Sequence, residues 1–134
     1  MFETPWTFAT RVAGTPSAAR PRVEAALSEE GFGVLTEIDV AATMKAKLGI
    51  ERPPYLILGA CKPKLAHRAL EIDPSVGALL PCNVVLRADG DGTIVEALDP
   101  AVAMGTGVDG GLAEVAAEAR GSLRRVIAAL EAGG

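Results

Sequence analysis

The chain has 134 residues, 49% hydrophobic but only 4% aromatic, with 17 acidic against 13 basic side chains and a formal net charge of -4. That size supports one buried core and one domain over 1–134, while the negative balance and scarce aromatics leave no phosphate-tracking or base-stacking surface, so no nucleic-acid partner is expected. No apolar run approaches the roughly 20 residues of a membrane span and no leader pattern opens the chain, so no membrane partner and a cytoplasmic protein with free thiols at its two cysteines are expected.

Trp6 to Val12 alternates large apolar with polar or small residues and reads as a strand with one buried face. Gly14 to Pro21 interrupts it, and a helix becomes regular around Pro21, with Val23, Ala26 and Leu27 inward. Gly31 suits a left-handed stop that lays Phe32 over Leu27. Gly33 to Ile38 is a short strand. Asp39 then caps a helix from Val40 to Leu48, which Gly49 ends so that Ile50 folds back toward Met44.

Arg52-Pro-Pro breaks the chain before a strand from Tyr55 to Gly59, and a helix follows from Pro63 to about Glu71 with Leu65, Ala66, Ala69 and Leu70 on its packed side. Asn83–Ala88 and Thr93–Leu98 flank Asp89-Gly-Asp-Gly92, a hairpin signal. Its Asp-x-Asp-Gly resembles part of a calcium loop but lacks the later carboxylate ligand and the flanking helices, so a turn is favoured and no metal is assigned. Asp99 to Gly111 reads as irregular apart from the apolar patch Ala101–Met104: a cover over a site or, with more weight, a plain return. Leu112, Val115, Ala116, Ala119, Leu123 and Val126 begin the inward stripe of a long last helix that continues to Leu130. Strands interleaved with helices and ending in a hairpin give an α+β fold with a mixed, largely antiparallel sheet and helices mainly on one face; a thioredoxin-like arrangement is the alternative.

The residues with chemistry to offer gather where the strand from Tyr55 ends. Cys61 lies at a helix start, where exposed amides, the helix dipole and the flanking Lys62 and Lys64 favour a thiolate, although burial as an inert side chain is equally compatible. Cys82 stands at the mouth of another strand, for a thiol pair, a disulfide or a shared pocket, below simple burial in weight. His67, four residues before Glu71, is a candidate base for Cys61, with an exposed, locally paired imidazole the plainer reading. Tyr55, Lys62 and Met104 are candidate ligand contacts; Met44 reads as core, and Lys45 and Lys47 as a solvated helix end. Three soft or borderline ligands match no structural zinc spacing, and no phosphate loop or serine elbow is present, so the cofactor is left unknown.

Glu30-Gly-Phe-Gly-Val-Leu-Thr-Glu-Ile-Asp39, Tyr55-Leu-Ile-Leu-Gly-Ala-Cys-Lys-Pro63, Ala66-His-Arg-Ala-Leu70 and Gly77-Ala-Leu-Leu-Pro-Cys-Asn-Val-Val85 together resemble the DUF302 family, whose function is uncharacterised. The likeness runs on through Val102-Ala-Met104 and the last helix. The resemblance implies a compact α+β domain of the TBP-like class and a homodimer; TBP-like names an architecture, not DNA binding. The family usually reads Ala-Cys-Asn-Pro at its cysteine, whereas here Lys62 stands in the cap position, unable to accept an amide hydrogen bond. The expected function is a small ligand-binding or sensory domain with a pocket near Cys61, His67 and Cys82. The alternatives are a thiol-dependent enzyme or redox protein using Cys61, and a structural homo-oligomerisation domain.

Overall fold

Period-two patterning assembles one six-stranded sheet in the computed structural model, which describes residues 1–105 and 110–133. In chain order the strands are β1 (Phe2–Glu3), β2 (Thr7–Ala13), β3 (Gly33–Asp39), β4 (Tyr55–Cys61), β5 (Cys82–Asp89) and β6 (Gly92–Leu98), laid side by side as β1-β2-β6-β5-β4-β3. Every ladder is antiparallel. A thioredoxin-like sheet requires parallel pairs, so that alternative does not fit. The short β1 was not legible: two residues carry no period, and Phe2 and Glu3 are in a strand only because they pair with Ala9 and Phe8.

The inward positions Phe8, Val12, Leu58, Val84, Leu86 and Val95 form one buried cluster with Val23 and Leu27 of α1 (Pro16–Glu29) and Leu123 and Ile127 of α5 (Gly110–Gly133). Fully burying each such side chain stabilises the fold by about 1.5–3 kcal/mol, so this layer dominates the core. Trp6, expected at the head of the inward stripe, lies beyond the strand end and is 64% exposed. Helix α1 starts earlier than its prolines suggested. The Thr15 hydroxyl accepts from the Ala18 amide at 3.1 Å and Pro16 takes the first turn, while Pro21 sits inside the helix. The backbone bond that Pro21 forgoes is offset by burial of Pro16, Ala19, Val23 and Leu27.

Local stop signals behave as read. Gly31 takes φ +84°, and the Phe32 amide donates to the Leu27 carbonyl at 2.9 Å. Asp39 accepts from the Ala42 amide at 2.9 Å to open α2 (Val40–Leu48), and Gly49 closes it with φ +68°. The backbone of Ile50 returns to Met44 as expected, but its side chain is exposed, Met44 is half-buried rather than core, and α2 buries none of its residues. Between β5 and β6 a two-residue turn places Gly90 at φ +61°. Arg11 donates to Asp89 Oδ2 at 3.0 Å and to Asp91 Oδ1 at 2.8 Å, and its guanidinium holds the Asp91 carboxyl below the usual range. Both turn carboxylates are therefore committed to β2.

Helix α3 (Pro63–Ile72), a 3-10 helix over Pro74–Leu79 and α4 (Pro100–Met104) build a second, smaller cluster against α5, centred on Leu65, Ala69, Val76, Val115 and Ala119. Leu70, expected inward on α3, is exposed. Part of the stretch read as irregular is helical: Asp99 accepts from the Ala101 amide at 3.0 Å and Pro100 supplies the first turn. Residues 106–109, and with them the question of whether that segment covers a site, lie outside the described residues.

Candidate functional site

The site follows from how β4 runs into α3. Gly33 pairs with Cys61 and Ala60 with Cys82, so β4 is held between β3 and β5 up to its last residue. Pro63 then fixes the first helical turn, and Lys62 occupies the cap with no side-chain bond to the helix amides. Its stem lies against Gly31, its ammonium stands 5.9 Å from the Phe32 ring centre, and Nζ donates to Ser122 Oγ of α5 at 3.0 Å. Lysine has three donors and no acceptor, so it joins α5 instead of capping α3.

Where the two buried clusters meet, they leave a cavity of about 50 Å³. Its walls are short side chains: Ala60, Ala66, Ala69, Ala103, Ala116 and Ala119 stop at Cβ where longer residues would meet. Leu65, Leu80, Met104 and Val115 are among the larger apolar side chains of the lining, and Cys61 and Cys82 border it beside Lys62. The volume admits a few waters, at about 10–15 Å³ each, or a short hydrocarbon chain. Among the described residues Lys62 is the one charged member of the lining, and apart from the two thiols no other described lining side chain carries a polar group.

The structure thus brings together Cys61, Cys82, Lys62 and Met104. It does not bring His67 or Tyr55 to them. His67 is exposed on α3 and does not border the cavity. Leu65 and Ala69 face inward, and two residues along a helix is a turn of about 200°, which sends the imidazole outward. Tyr55 lies at the opposite end of β4, about 20 Å away along an extended strand, under the Arg52 guanidinium at 5.2 Å. It borders a separate open concavity of about 330 Å³, where Lys45 and Glu51 pair at 2.6 Å.

Both thiols are free and half-buried. The register makes Cys82 the cross-strand neighbour of Ala60, and Cys61, the next residue of β4, belongs by alternation to the opposite face of the pleat. Neighbouring backbone positions with diverging Cβ directions are poor disulfide geometry. Burial pushes the Cys82 thiol up from its ordinary value, and the adjacent Cys61 charge adds to the rise. Cys82 therefore behaves as a small apolar side chain with a protonated sulfur, not as a poised nucleophile.

The sequence reading missed Ser122, a buried serine within an apolar stripe, and placed Ala66, Ala69, Ala116 and Ala119 inward without showing that they meet around a cavity. The available signal was the recurrence of alanine, not leucine, at inward positions 66, 69, 116 and 119.

Fold and cavity define an α+β domain on a six-stranded antiparallel sheet, with a small apolar chamber at one strand end. The chain belongs to the DUF302 family, a domain of unknown function, which it matches over residues 8–130. The crystal structure of an uncharacterized conserved protein DUF302 from Bacillus stearothermophilus is similar, with 28% sequence identity and a TM-score of 0.83, over 93% of this chain and 98% of that one. A comparison with curated proteins returns no match.

Proposed function

We propose that this protein is a small-molecule binding or sensory domain whose ligand enters the cavity bordered by Cys61, Cys82, Lys62 and Met104. The observation that carries the reading is the cavity itself: an apolar chamber at the junction of two otherwise close-packed clusters. Filling it with leucine or methionine would add apolar contact, so a chamber kept open by alanines forgoes stability that packing could supply. Met104, unbranched and adaptable, supports entry by re-packing around a guest. Two free thiols suit a reducing, cytoplasmic setting, which belongs to the same proposal.

The test is a titration of the native protein with n-hexanol, followed through the methyl resonances of Met104, Leu65 and Leu80. The reading expects saturable shifts at these methyls and their loss in Ala116→Met, which fills the chamber. Absence of any shift in the native protein would remove the cavity as a ligand site. The thiol-enzyme alternative has less support, because an exposed His67 outside the cavity gives Cys61 no base there.

Self-association, which the family resemblance implies, is a second reading with a surface to support it. The sheet face away from α1 and α5 carries Ile38, Ile57 and Val85 side by side, and Ile38 is 49% exposed. Ile57→Lys is expected to leave a monomer where the native chain sediments as a dimer; a native monomer at micromolar concentration would end this reading.

A further inference from the structure

The charges around the cavity name a ligand class, an inference that rests on the binding reading above. Lys62, Ser122, Arg125 and Glu30 form a continuous polar chain. Lys62 Nζ and Arg125 Nη2 both donate to Ser122 Oγ, at 3.0 and 3.2 Å, and Arg125 Nε donates to Glu30 at 2.8 Å. Two cations are thus matched by one carboxylate, and Glu30 is taken up by Arg125. Among the described residues Lys62 makes no ion pair. Its ammonium spends one N–H on Ser122 and retains two.

That uncompensated charge stands at the edge of an otherwise apolar chamber, beside the Phe32 ring and half-withdrawn from water. In such surroundings an ion pair is worth more than in open solvent, and the ammonium, tethered by Ser122, keeps two N–H donors for an anion. Among the described residues the remaining wall offers only hydrocarbon and thiols. A ligand that satisfies both parts has one negative charge at one end and a short apolar tail.

We propose that the cavity takes a short-chain carboxylate, its carboxylate on Lys62 Nζ and its alkyl chain among Leu65, Leu80, Met104 and Val115. The free volume of about 50 Å³ limits the enclosed part to a few carbons, so the tail is short or branched little. A dicarboxylate is disfavoured, because among the described residues no second cation lines the chamber to receive another charge.

The experiment compares sodium hexanoate with n-hexanol, which has the same chain length but no charge, by methyl-resonance titration of the native protein, Lys62→Met and Lys62→Asn. Lys62→Asn gives α3 a side-chain cap and so guards against a variant that simply fails to fold. The proposal expects hexanoate to bind the native protein at least tenfold more tightly than it binds either variant, while hexanol affinity is unchanged by the substitutions; tenfold corresponds to about 1.4 kcal/mol. Hexanoate and hexanol binding alike, with no effect of residue 62, would overturn the carboxylate inference and leave the apolar cavity site standing. Failure of both probes to bind the native protein would overturn the site and the inference together.

Discussion

Cys82 sits directly across from Ala60 in the β4–β5 ladder, which turns its sulfur toward the helix-covered side of the sheet and next to the cavity. Burial there, with the Cys61 charge adding to it, raises the Cys82 thiol above its unfolded value. The folded state then holds the thiol proton more tightly than the unfolded chain. Stability is unaffected by this group below the ordinary thiol pKa and declines as pH rises from that value toward the raised one. Urea melts between pH 7 and 10 should show an alkaline loss that Cys82→Ala reduces; an identical pH profile in that variant would show that the sulfur is not withdrawn from water.

Gly59 marks a close approach on the other face. A Cβ built at this position meets the Thr36 hydroxyl and comes within 2.7 Å of the Pro81 ring. Gly59→Ala is expected to destabilise by about 1–3 kcal/mol through overpacking. A urea midpoint equal to the native one would place Thr36 and Pro81 further from β4 than the structure has them.

Glu96 is the charged residue most withdrawn from solvent on the sheet face away from α1 and α5. Its carboxylate accepts from Arg87 Nε at 2.6 Å and from the Thr7 hydroxyl at 3.0 Å, linking β5, β6 and β2. Glu96→Ala should cost about 1–3 kcal/mol, because it removes the acceptor shared by the half-exposed Arg87 and the Thr7 hydroxyl, which is left with Thr4 as its side-chain partner. Glu96→Gln keeps an acceptor and should cost less; equal costs would assign the effect to packing instead of the polar link.

Ala116→Met should fill the chamber and raise stability by about 0.5–2 kcal/mol while abolishing the hexanol response. Lower stability with hexanol binding retained would mean that residue 116 borders solid packing, not free volume.

Much of this fold was legible because its signals are local. Gly31 with Phe32, Asp39, Gly49 and the Asp89–Gly92 turn each state their geometry within a few residues, and the inward stripe of α5 repeats for about five turns. Helix α4 was missed although Asp99-Pro100 is a start signal, because the glycines that follow outweighed it in the reading. The site was legible only in part. Cys61, Lys62 and Cys82 converge because β4 pairs with β5, a long-range fact that the strand-end position merely hinted at. His67 is exposed, as its plainer reading had it, because the helix turns it away from Leu65 and Ala69, whereas Tyr55 lies far from the cavity because nearness along a strand became length. The cavity had no local signature, since it arises where alanines of separate helices meet.

The most direct test of the account asks whether the chamber is open to a guest in the native state. The protein is alkylated with iodoacetamide at fixed pH with and without n-hexanol, and the Cys61 and Cys82 peptides are quantified separately by mass spectrometry. The account predicts that Cys82 is labelled faster than the chain unfolds and that hexanol slows this labelling in a saturable way. Labelling of Cys82 only at the rate of global unfolding, indifferent to hexanol, would contradict it and make Cys82 part of a sealed core.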